Sequence, residues 1–426
     1  MLDIVIRGAE RIVSGGKIFT GDIGIKDGKI IKIGEIDEEA KEYISAKGLT
    51  AIPGLVDMHV HFRDPGLLHK EDIFTGAEAA ANGGVTSVCT MPNTSPAADS
   101  AQTIEYMVKK AEKAKCRVYP SGCITVGMKG GALCDFVSLK ESGAVAVSDD
   151  GRPVEDEKMM EAAVKAAAEA GVTVISHCED LKIINGGIIN KGKVSEKLGV
   201  AGMDRRSEIE STKREIEIAK RTGLPIHIAH VSVKECVRDI REAKASGVKV
   251  TAETAPHYFY YTDEKLLSMS ASYRMNPPLR EKEDIEAIIE GIADGTIDAI
   301  ATDHAPHAKE EKADFYKAPN GVIGLESSFG ASYTRLVKGG VIGIERLVEL
   351  MSEAPARILK IPAGRLEEGA NADITLIDER REWVFAEENI KSKSKNSAFI
   401  GEKFVGYPVI TICRGEVVKG EEIIER

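Results

Sequence analysis

The chain of 426 residues is long enough for one large barrel with a smaller unit, or for two or three domains of ordinary size. It is 43% hydrophobic and 29% charged, which is typical of a globular protein with a large core. The net charge of −11, from 57 Lys and Arg against 68 Asp and Glu, argues against a nucleic-acid-binding or anionic-membrane surface. No apolar run approaches the length of about 18 residues that a membrane span needs, and acidic residues near the start argue against a signal peptide.

The seven cysteines are odd in number and scattered, and no two of them form a Cys-x-x-Cys pair. Paired or metal-bound cysteines usually occur at regular short spacings. We therefore expect reduced thiols and a cytoplasmic protein.

The two ends of the chain share one sequence pattern. "LDIVIRGAERIV" and "GDIGIKDGKIIKIGEI" near the start, and "ADITLIDERREWVF" and "GYPVITICRGEVVKGEEII" near the end, are short alternating stretches broken by Gly and Asp. Such stretches predict strands joined by tight turns. Neither end has enough strands for a stable sheet of its own, so we predict one composite β domain from residues 1–52 and 362–426.

Residues 53–361 alternate short apolar runs with long helical patterns, which is typical of βα units and a parallel sheet. Segments such as "DEKMMEAAVKAAAEAG" have helical spacing and a terminal Gly that fits a C-cap. Eight runs are strand candidates: "GLVDMHVHF", "GVTSVCTMPN", "CRVYPSGCITV", "GAVAVSDDG", "GVTVISHCED", "LPIHIAHVS", "VKVTAETAPHY" and "IDAIATDHAPH". Eight such strands predict an α/β fold of the (β/α)8 TIM-barrel type, with an open doubly wound sheet as the alternative.

Polar residues fall at the C-terminal ends of these runs. They are His59 and His61 on the first, Asn93 after the second, Asp149 and Asp150 after the fourth, His177 on the fifth, His230 on the sixth and Asp303 on the eighth. In a (β/α)8 barrel these strand ends open onto one face, where active sites lie. The pattern therefore predicts that residues far apart in the chain converge.

A metal centre explains the histidines best. His59 and His61 are two apart on a strand, so both side chains point the same way and can share one ion. Imidazole and carboxylate ligands suit Zn²⁺, with Mn²⁺, Co²⁺ or Fe²⁺ as substitutes. Together with His177, His230 and Asp303 the ligands are too many for one tetrahedral site, which indicates two metal ions.

At this point the motifs resemble those of a known family. "DMHVHFRDP" and "ATDHAPHAKEEK" are similar to the two signature stretches of dihydroorotases, within the amidohydrolase superfamily. The resemblance continues through "TMPNT", "SDDG", "SHCED", "HIAHVS", "MNPPLR" and "VIGLE" to "SKNSAFIGEKFVG", so it covers nearly the whole chain.

The resemblance implies two Zn²⁺ per chain. His59, His61 and Asp303 would hold one, and His177 and His230 the other. Many superfamily members bridge the metals with a carboxylated lysine after the fourth strand, but "GAVAVSDDG" has no lysine and Lys140 precedes the strand. The chain resembles the branch in which an aspartate bridges instead, and spacing to the fifth-strand histidine favours Asp150 over Asp149.

The implied reaction is the reversible cyclisation of N-carbamoyl-L-aspartate to (S)-dihydroorotate, a step of de novo pyrimidine biosynthesis, with Asp303 as the catalytic acid and base. Because the substrate is anionic, Arg63, two residues beyond His61, is predicted to grip its α-carboxylate through the guanidinium fork. The resemblance adds further substrate contacts. They are His61, Asn93, Asn276 and His307, with backbone groups of Asn320 and Gly321 in the loop 308–324 over the mouth.

The motifs are also compatible with other functions. A hydantoinase, dihydropyrimidinase or allantoinase would share the metal ligands. The reaction of such an enzyme does not give the same reason for Arg63, Asn93 and His307 to surround a substrate carboxylate. An inactive paralogue acting as a scaffold would have lost metal ligands, but the five are all present here: His59, His61, His177, His230 and Asp303. A non-enzymatic metal-binding barrel has no positive sign in the sequence. For partners, the resemblance implies a small-molecule substrate and a homodimer, and it leaves open an association with aspartate carbamoyltransferase.

Overall fold

The computed structural model describes residues 1–420 and the backbone of residues 424–425. Its strands are β1 (Leu2–Ser14), β2 (Lys17–Lys26), β3 (Lys29–Gly34), β4 (Ala40–Ser45), β5 (Thr50–Pro53), β6 (Leu55–Val60), β7 (Val85–Thr90), β8 (Arg117–Cys123), β9 (Ala146–Ser148), β10 (Thr173–Ser176), β11 (Ile189–Asn190), β12 (Gly202–Met203), β13 (Ile226–Ile228), β14 (Val250–Thr254), β15 (Ala299–Ile300), β16 (Ile374–Val384), β17 (Lys403–Cys413), β18 (Glu416–Lys419) and β19 (Ile424–Glu425).

The α-helices lie mostly between the barrel strands. They are α1 (Ile73–Asn82), α2 (Ala101–Ala111), α3 (Phe136–Glu141), α4 (Glu157–Ala170), α5 (Leu181–Ile184), α6 (Lys193–Leu198), α7 (Arg206–Thr222), α8 (Lys234–Ala245), α9 (Pro256–Tyr260), α10 (Lys282–Asp294), α11 (Ser328–Ser332), α12 (Ile344–Val348) and α13 (Ala354–Leu359). Two π-helical turns, Tyr333–Lys338 and Glu349–Glu353, continue α11 and α12.

The helix α4 illustrates how local sequence sets these elements. The Asp156 side chain accepts a hydrogen bond from the Met159 amide at its start, and Gly171 ends it in the left-handed region at φ 75°. Its buried residues recur every three or four positions, so one face packs on the barrel: Met160, Ala163, Val164 and Ala167.

Eight parallel strands form the barrel in the order β6-β7-β8-β9-β10-β13-β14-β15. The circle closes between its first and last strands, where Val60 pairs in parallel with His304 and the His61 amide donates to the His304 carbonyl at 2.8 Å. Each of the eight predicted runs contains one of these strands. The predicted (β/α)8 barrel is confirmed, and the open doubly wound sheet is excluded.

Both chain ends meet in a second, mixed sheet in the order β18-β17-β16-β5-β1-β2-β3, with β4 beside β1 and β19 beside β4. The ends join where β16 pairs antiparallel with β5, Ile374 lying opposite Pro53. One face buries its own apolar cluster, including Ile6, Ile12 and Leu376. The composite sheet is thus as expected, while the domain limits at residues 52 and 362 stay a prediction. Residues 421–423 and 426 of that predicted domain lie outside the described residues.

The described part of the chain contains no helix that is both long and apolar enough to cross a membrane. All seven cysteines are buried free thiols. The largest of the described apolar clusters lies between the barrel and its helices.

Candidate active site

The predicted site residues gather at the C-terminal ends of the barrel strands, around a cavity of about 310 Å³. Ten of the twelve line it: His61, Arg63, Asn93, Asp150, His177, Asn276, Asp303, His307, Asn320 and Gly321. The other two, His59 and His230, are buried and contact Asp150 from the side. The barrel topology thus brings together residues that are up to 260 positions apart in sequence, since His61 and Gly321 line one cavity.

Asp150 lies between two pairs of histidines. Its Oδ1 is 3.1 Å from His177 Nδ1, 3.5 Å from His230 Nε2 and 3.4 Å from His59 Nε2, and its Oδ2 is 3.4 Å from His61 Nε2. The possible ligand atoms of His59, His61 and Asp150 lie within 4.8 Å of one another, and so do those of Asp150, His177 and His230. One carboxylate is therefore common to two clusters that could each hold an ion.

The neighbouring Asp149 is directed elsewhere. Its carboxylate accepts hydrogen bonds from the backbone amides of Ile124 and Thr125 and from the Thr125 hydroxyl. Burial raises the pKa of Asp149 to about 6 although these hydrogen bonds oppose the rise. Asp149 thus ties β9 to the end of β8, and its side chain does not enter the histidine cluster.

Asp303 completes the cluster from the eighth strand. Its Oδ1 is 3.0 Å from His61 Nε2 and 3.6 Å from His59 Nε2. Burial acts to raise its pKa, but the hydrogen bond and charge of His61 and the charge of His59 hold the pKa below its usual value. Asp303 and His230 both have left-handed backbones, at φ 49° and 38°, a strained conformation for non-glycine residues that often occurs at functional sites.

The residues fit a divalent metal ion. His59 Nε2 is buried and has no hydrogen-bond partner among the described residues, although two carboxylates lie near it. A buried polar atom without a partner is costly unless a ligand satisfies it. Imidazole nitrogens with carboxylate oxygens form the donor set of such ions. His59, His61, Asp150, His177, His230 and Asp303 are the residues that could hold them.

Glu253, on β14, was not among the predicted residues. Its carboxylate lies 2.6 Å from His59 Nδ1 and 3.2 Å from His227 Nε2, and His227 Nδ1 is 2.8 Å from the Thr251 hydroxyl. Burial acts to raise the pKa of Glu253, but the two histidines lower it to about 2. The carboxylate therefore fixes the His59 ring so that its Nε2 faces the cluster. An acidic residue inside the apolar run "VKVTAETAPHY" was the signal in the sequence.

Glu179 has the matching position on the other side of the cluster. One carboxylate oxygen lies 2.8 Å from His177 Nε2, and the other accepts a hydrogen bond from Asn276 Nδ2 at 2.9 Å. This residue was also not predicted, although it follows His177 by two in "SHCED". Asn276, predicted as a substrate contact, thus also orients Glu179.

The predicted substrate residues line the same cavity. Arg63 is 8% exposed, and its Nε donates to the Pro306 carbonyl at 3.3 Å. No carboxylate of the described residues lies within 4.0 Å of its guanidinium. Burial lowers the pKa of Arg63 to about 10, so it stays cationic at neutral pH. A buried cation facing a cavity without an ion-pair partner is suited to an anionic ligand.

Two other predicted contacts have partners within the protein. Asn93 Oδ1 lies 2.8 Å from His61 Nδ1, so it orients that ring from outside the cluster. His307 Nε2 lies 2.9 Å from the Asn320 carbonyl, and its Nδ1 lies 3.3 Å from Lys70 Nζ. Burial and the nearby cations, Arg63 foremost, lower the pKa of His307 to about 2, so its ring is neutral.

A closed eight-stranded barrel with two histidine clusters sharing one aspartate defines a hydrolase of the metal-dependent amidohydrolase class. Solved structures agree: the L-hydantoinase (dihydropyrimidinase) from Arthrobacter aurescens has a TM-score of 0.89 at 28% identity, covering 98% of this chain and 96% of that one. A D-hydantoinase has a TM-score of 0.86 at 26% identity, covering 98% and 95%.

Sequence comparison gives the particular family. A Dihydro-orotase-like family model matches residues 48–236. Dihydroorotase of Trichlorobacter lovleyi is 47% identical, covering 96% of this chain and 98% of the relative. That of Citrifermentans bemidjiense is 49% identical, covering 93% and 94%. The chain belongs to the dihydroorotase family.

Proposed function

We propose that the protein is a zinc-dependent dihydroorotase, which reversibly cyclises N-carbamoyl-L-aspartate to (S)-dihydroorotate in de novo pyrimidine biosynthesis. The observation that carries this proposal is the composition of a single cavity. The same cavity is lined by the histidine and aspartate cluster around Asp150 and by Arg63, a buried cation without an ion-pair partner among the described residues. A cyclic amide bearing a carboxylate matches both features.

The proposed centre holds two Zn²⁺ ions. His59, His61 and Asp303 would hold one, His177 and His230 the other, and Asp150 would bridge them. The possible ligand atoms of His59, His61 and Asp150 lie close together, as do those of Asp150, His177 and His230, which supports the two positions. The contacts of Asp303 with His59 and His61 support its place in the first. Bound there, the ions would lower the pKa of water and polarise the amide carbonyl.

The chain's own residues would supply binding and proton transfer. Arg63 would bind the α-carboxylate through its guanidinium fork. In ring opening, Asp303 would take a proton from the attacking water and hand it to the leaving ring nitrogen; in ring closure the same steps run backwards. Its lowered pKa keeps Asp303 ionised at neutral pH, as a base requires. Further residues would hold the substrate ring and carboxylate in position relative to Asp303: Asn93, Asn276, His307, Asn320 and Gly321.

We further propose a cytoplasmic homodimer that associates with aspartate carbamoyltransferase, the enzyme that supplies its substrate. Buried, unpaired cysteines support a reducing compartment. The dimer and the association rest on the family resemblance alone, and light scattering of the protein with and without the second enzyme tests both.

The activity is tested by following ring opening of (S)-dihydroorotate in the ultraviolet, with hydantoin, dihydrouracil and allantoin in parallel. We expect the zinc-loaded protein to turn over dihydroorotate alone. Arg63→Ala removes charge-assisted hydrogen bonds to the carboxylate, so its kcat/KM should fall about 100-fold or more. Arg63→Lys keeps the charge but loses the fork, and we expect an intermediate value. Turnover of an uncharged ring, or an unchanged kcat/KM in Arg63→Ala, would refute the proposal.

A further inference from the structure

The connection between β16 and β17 does not stay with the small sheet. The two strands pair as far as Val384 opposite Lys403, and residues 385–402, here called the strap, leave the sheet and lie against the barrel mouth. Over residues 391–396 of the strap, buried and exposed side chains alternate. Ser392, Ser394 and Asn396 are buried, whereas Lys391, Lys393 and Lys395 are exposed.

The first half of the strap is anchored to Glu71 and Lys70, which do not line the cavity. The Ser392 hydroxyl donates to the buried Glu71 carboxylate, and the Lys393 amide donates to the same group at 3.1 Å. The Ser394 hydroxyl donates to the Lys70 carbonyl at 2.6 Å. These contacts fix the strap through residues that do not themselves line the cavity.

Asn396, in the second half, contacts the wall itself. Its Oδ1 accepts a hydrogen bond from the His307 amide, and its Nδ2 donates to the carbonyls of Ala305 and Gly321, each at 3.1 Å. Its own carbonyl accepts from the Ile323 amide at 3.1 Å. The side chain is 6% exposed, so these hydrogen bonds are shielded from water. One amide therefore joins the segment after β15 to the end of the loop 308–324.

The two segments that Asn396 joins form the cavity wall around His307. Gly321 has φ 130°, and a Cβ there would lie 2.7 Å from Ala305 Cβ and 3.1 Å from His307 Nε2. The segments are thus packed so closely that a shift of a few tenths of an ångström moves the ring of His307 or the backbone of Asn320.

We propose that Asn396 is a positioning residue for substrate binding, which sets the spacing of the two segments that present His307 and Gly321. The small β domain, through its strap, thereby completes the wall beside Arg63. The inference rests on the proposed function, because it takes the ligand at that wall to be the substrate.

The test is Asn396→Asp, which is nearly isosteric. The new carboxylate can still accept from the His307 amide, but it places an oxygen where Nδ2 donated to two carbonyls. We expect KM for dihydroorotate to rise about tenfold, with kcat changed less than about threefold and the metal content unchanged, because ground-state contacts are lost and the metal centre is not.

Ser392→Ala is the matched control, since it removes a buried hydrogen bond of the same strap to Glu71, and neither residue lines the cavity. Both variants are expected to lower the melting temperature, and only Asn396→Asp should raise KM. A KM that is unchanged in Asn396→Asp, or raised equally in both variants, would overturn the inference. Should Asn396→Asp not yield folded protein, Asn396→Ser replaces it, with the same expectation for KM. Absence of dihydroorotate turnover in the wild type would instead count against the proposed function.

Discussion

Two buried carboxylates stand behind the histidine cluster, one on each side. Glu253 contacts His59 and Glu179 contacts His177, so each orients a ring belonging to a different proposed metal position. Outer carboxylates of this kind raise the basicity of a ligating imidazole and hold its tautomer, and their loss typically costs 10- to 100-fold in metal affinity, roughly.

This separation leads to a prediction for single residues. Glu253→Gln should lower the affinity for the metal ion held by His59 by about tenfold or more and leave the affinity for the other ion unchanged. Glu179→Gln, the matched variant, should lower the affinity for the metal ion held by His177. Competition with a chelator, followed through the visible spectrum of the Co²⁺-loaded protein, would measure both affinities. Equal loss of both metals in each variant would contradict the independence of the two sides.

The residues of this site differ in how well the sequence predicted them. The period of two placed His59 and His61 on one side of a strand, and the order of the strand ends predicted a shared face. Glu253 was missed because its role depends on its side chain meeting His59 and His227 inside the barrel, and no local pattern specifies which interior side chains meet. Spacing to the fifth-strand histidine favoured Asp150 over Asp149, but the hydrogen bonds that hold Asp149 against Ile124 and Thr125 had no signal in the local sequence.

At the scale of elements, the loop 308–324 is fixed by a half-buried lysine. Lys312 Nζ donates to the carbonyls of Arg274, Pro319 and Gly321, at 3.2, 2.9 and 3.0 Å. Burial lowers the pKa of Lys312 to about 7. Three backbone carbonyls would lose this donor together if the side chain were removed, and two of them lie in the loop itself.

We therefore expect Lys312→Ala to increase amide hydrogen exchange across residues 313–321, by about tenfold or more, while exchange in the barrel strands stays unchanged. Mass spectrometry of peptic fragments measures this. Lys309→Ala removes an exposed lysine of the same loop and should leave the exchange as in the wild type. Equal exchange in both variants would show that other contacts hold the loop.

For the whole molecule, patterns of hydrophobicity predicted the barrel and the composite sheet because both depend on burial. Eight apolar runs separated by helices close into a barrel, and two strand-poor ends stabilise each other only when they pair. The path of the strap was not predictable. Its contacts with Glu71 and Glu326 join residues about 65 to 320 positions apart, and such pairings are set by the packed fold and not by local sequence.

Glu326 links stability of the whole chain to pH. Its carboxyl accepts hydrogen bonds from Asn82 Nδ2 and from the amides of Lys391 and Ser392, which connects α1 with the strap. Burial nevertheless raises its pKa from 4.5 to about 7. Between these pH values the folded chain keeps a proton that the unfolded chain has released. This group's contribution is therefore greatest below pH 4.5 and falls as the pH rises to about 7.

The expected consequence is that Glu326→Gln removes this dependence. The free energy of unfolding of the wild type should fall by about 3 kcal/mol more than that of the variant between pH 4.5 and 7, and the difference should stay constant above pH 7. Urea denaturation across this range measures the difference, in which groups that titrate alike in both proteins cancel. Glu388→Gln, which removes an exposed carboxylate, controls for net charge. Parallel curves for the wild type and Glu326→Gln would mean that the hydrogen bonds from Asn82 and the strap outweigh burial, and that Glu326 is ionised in the folded protein throughout this range.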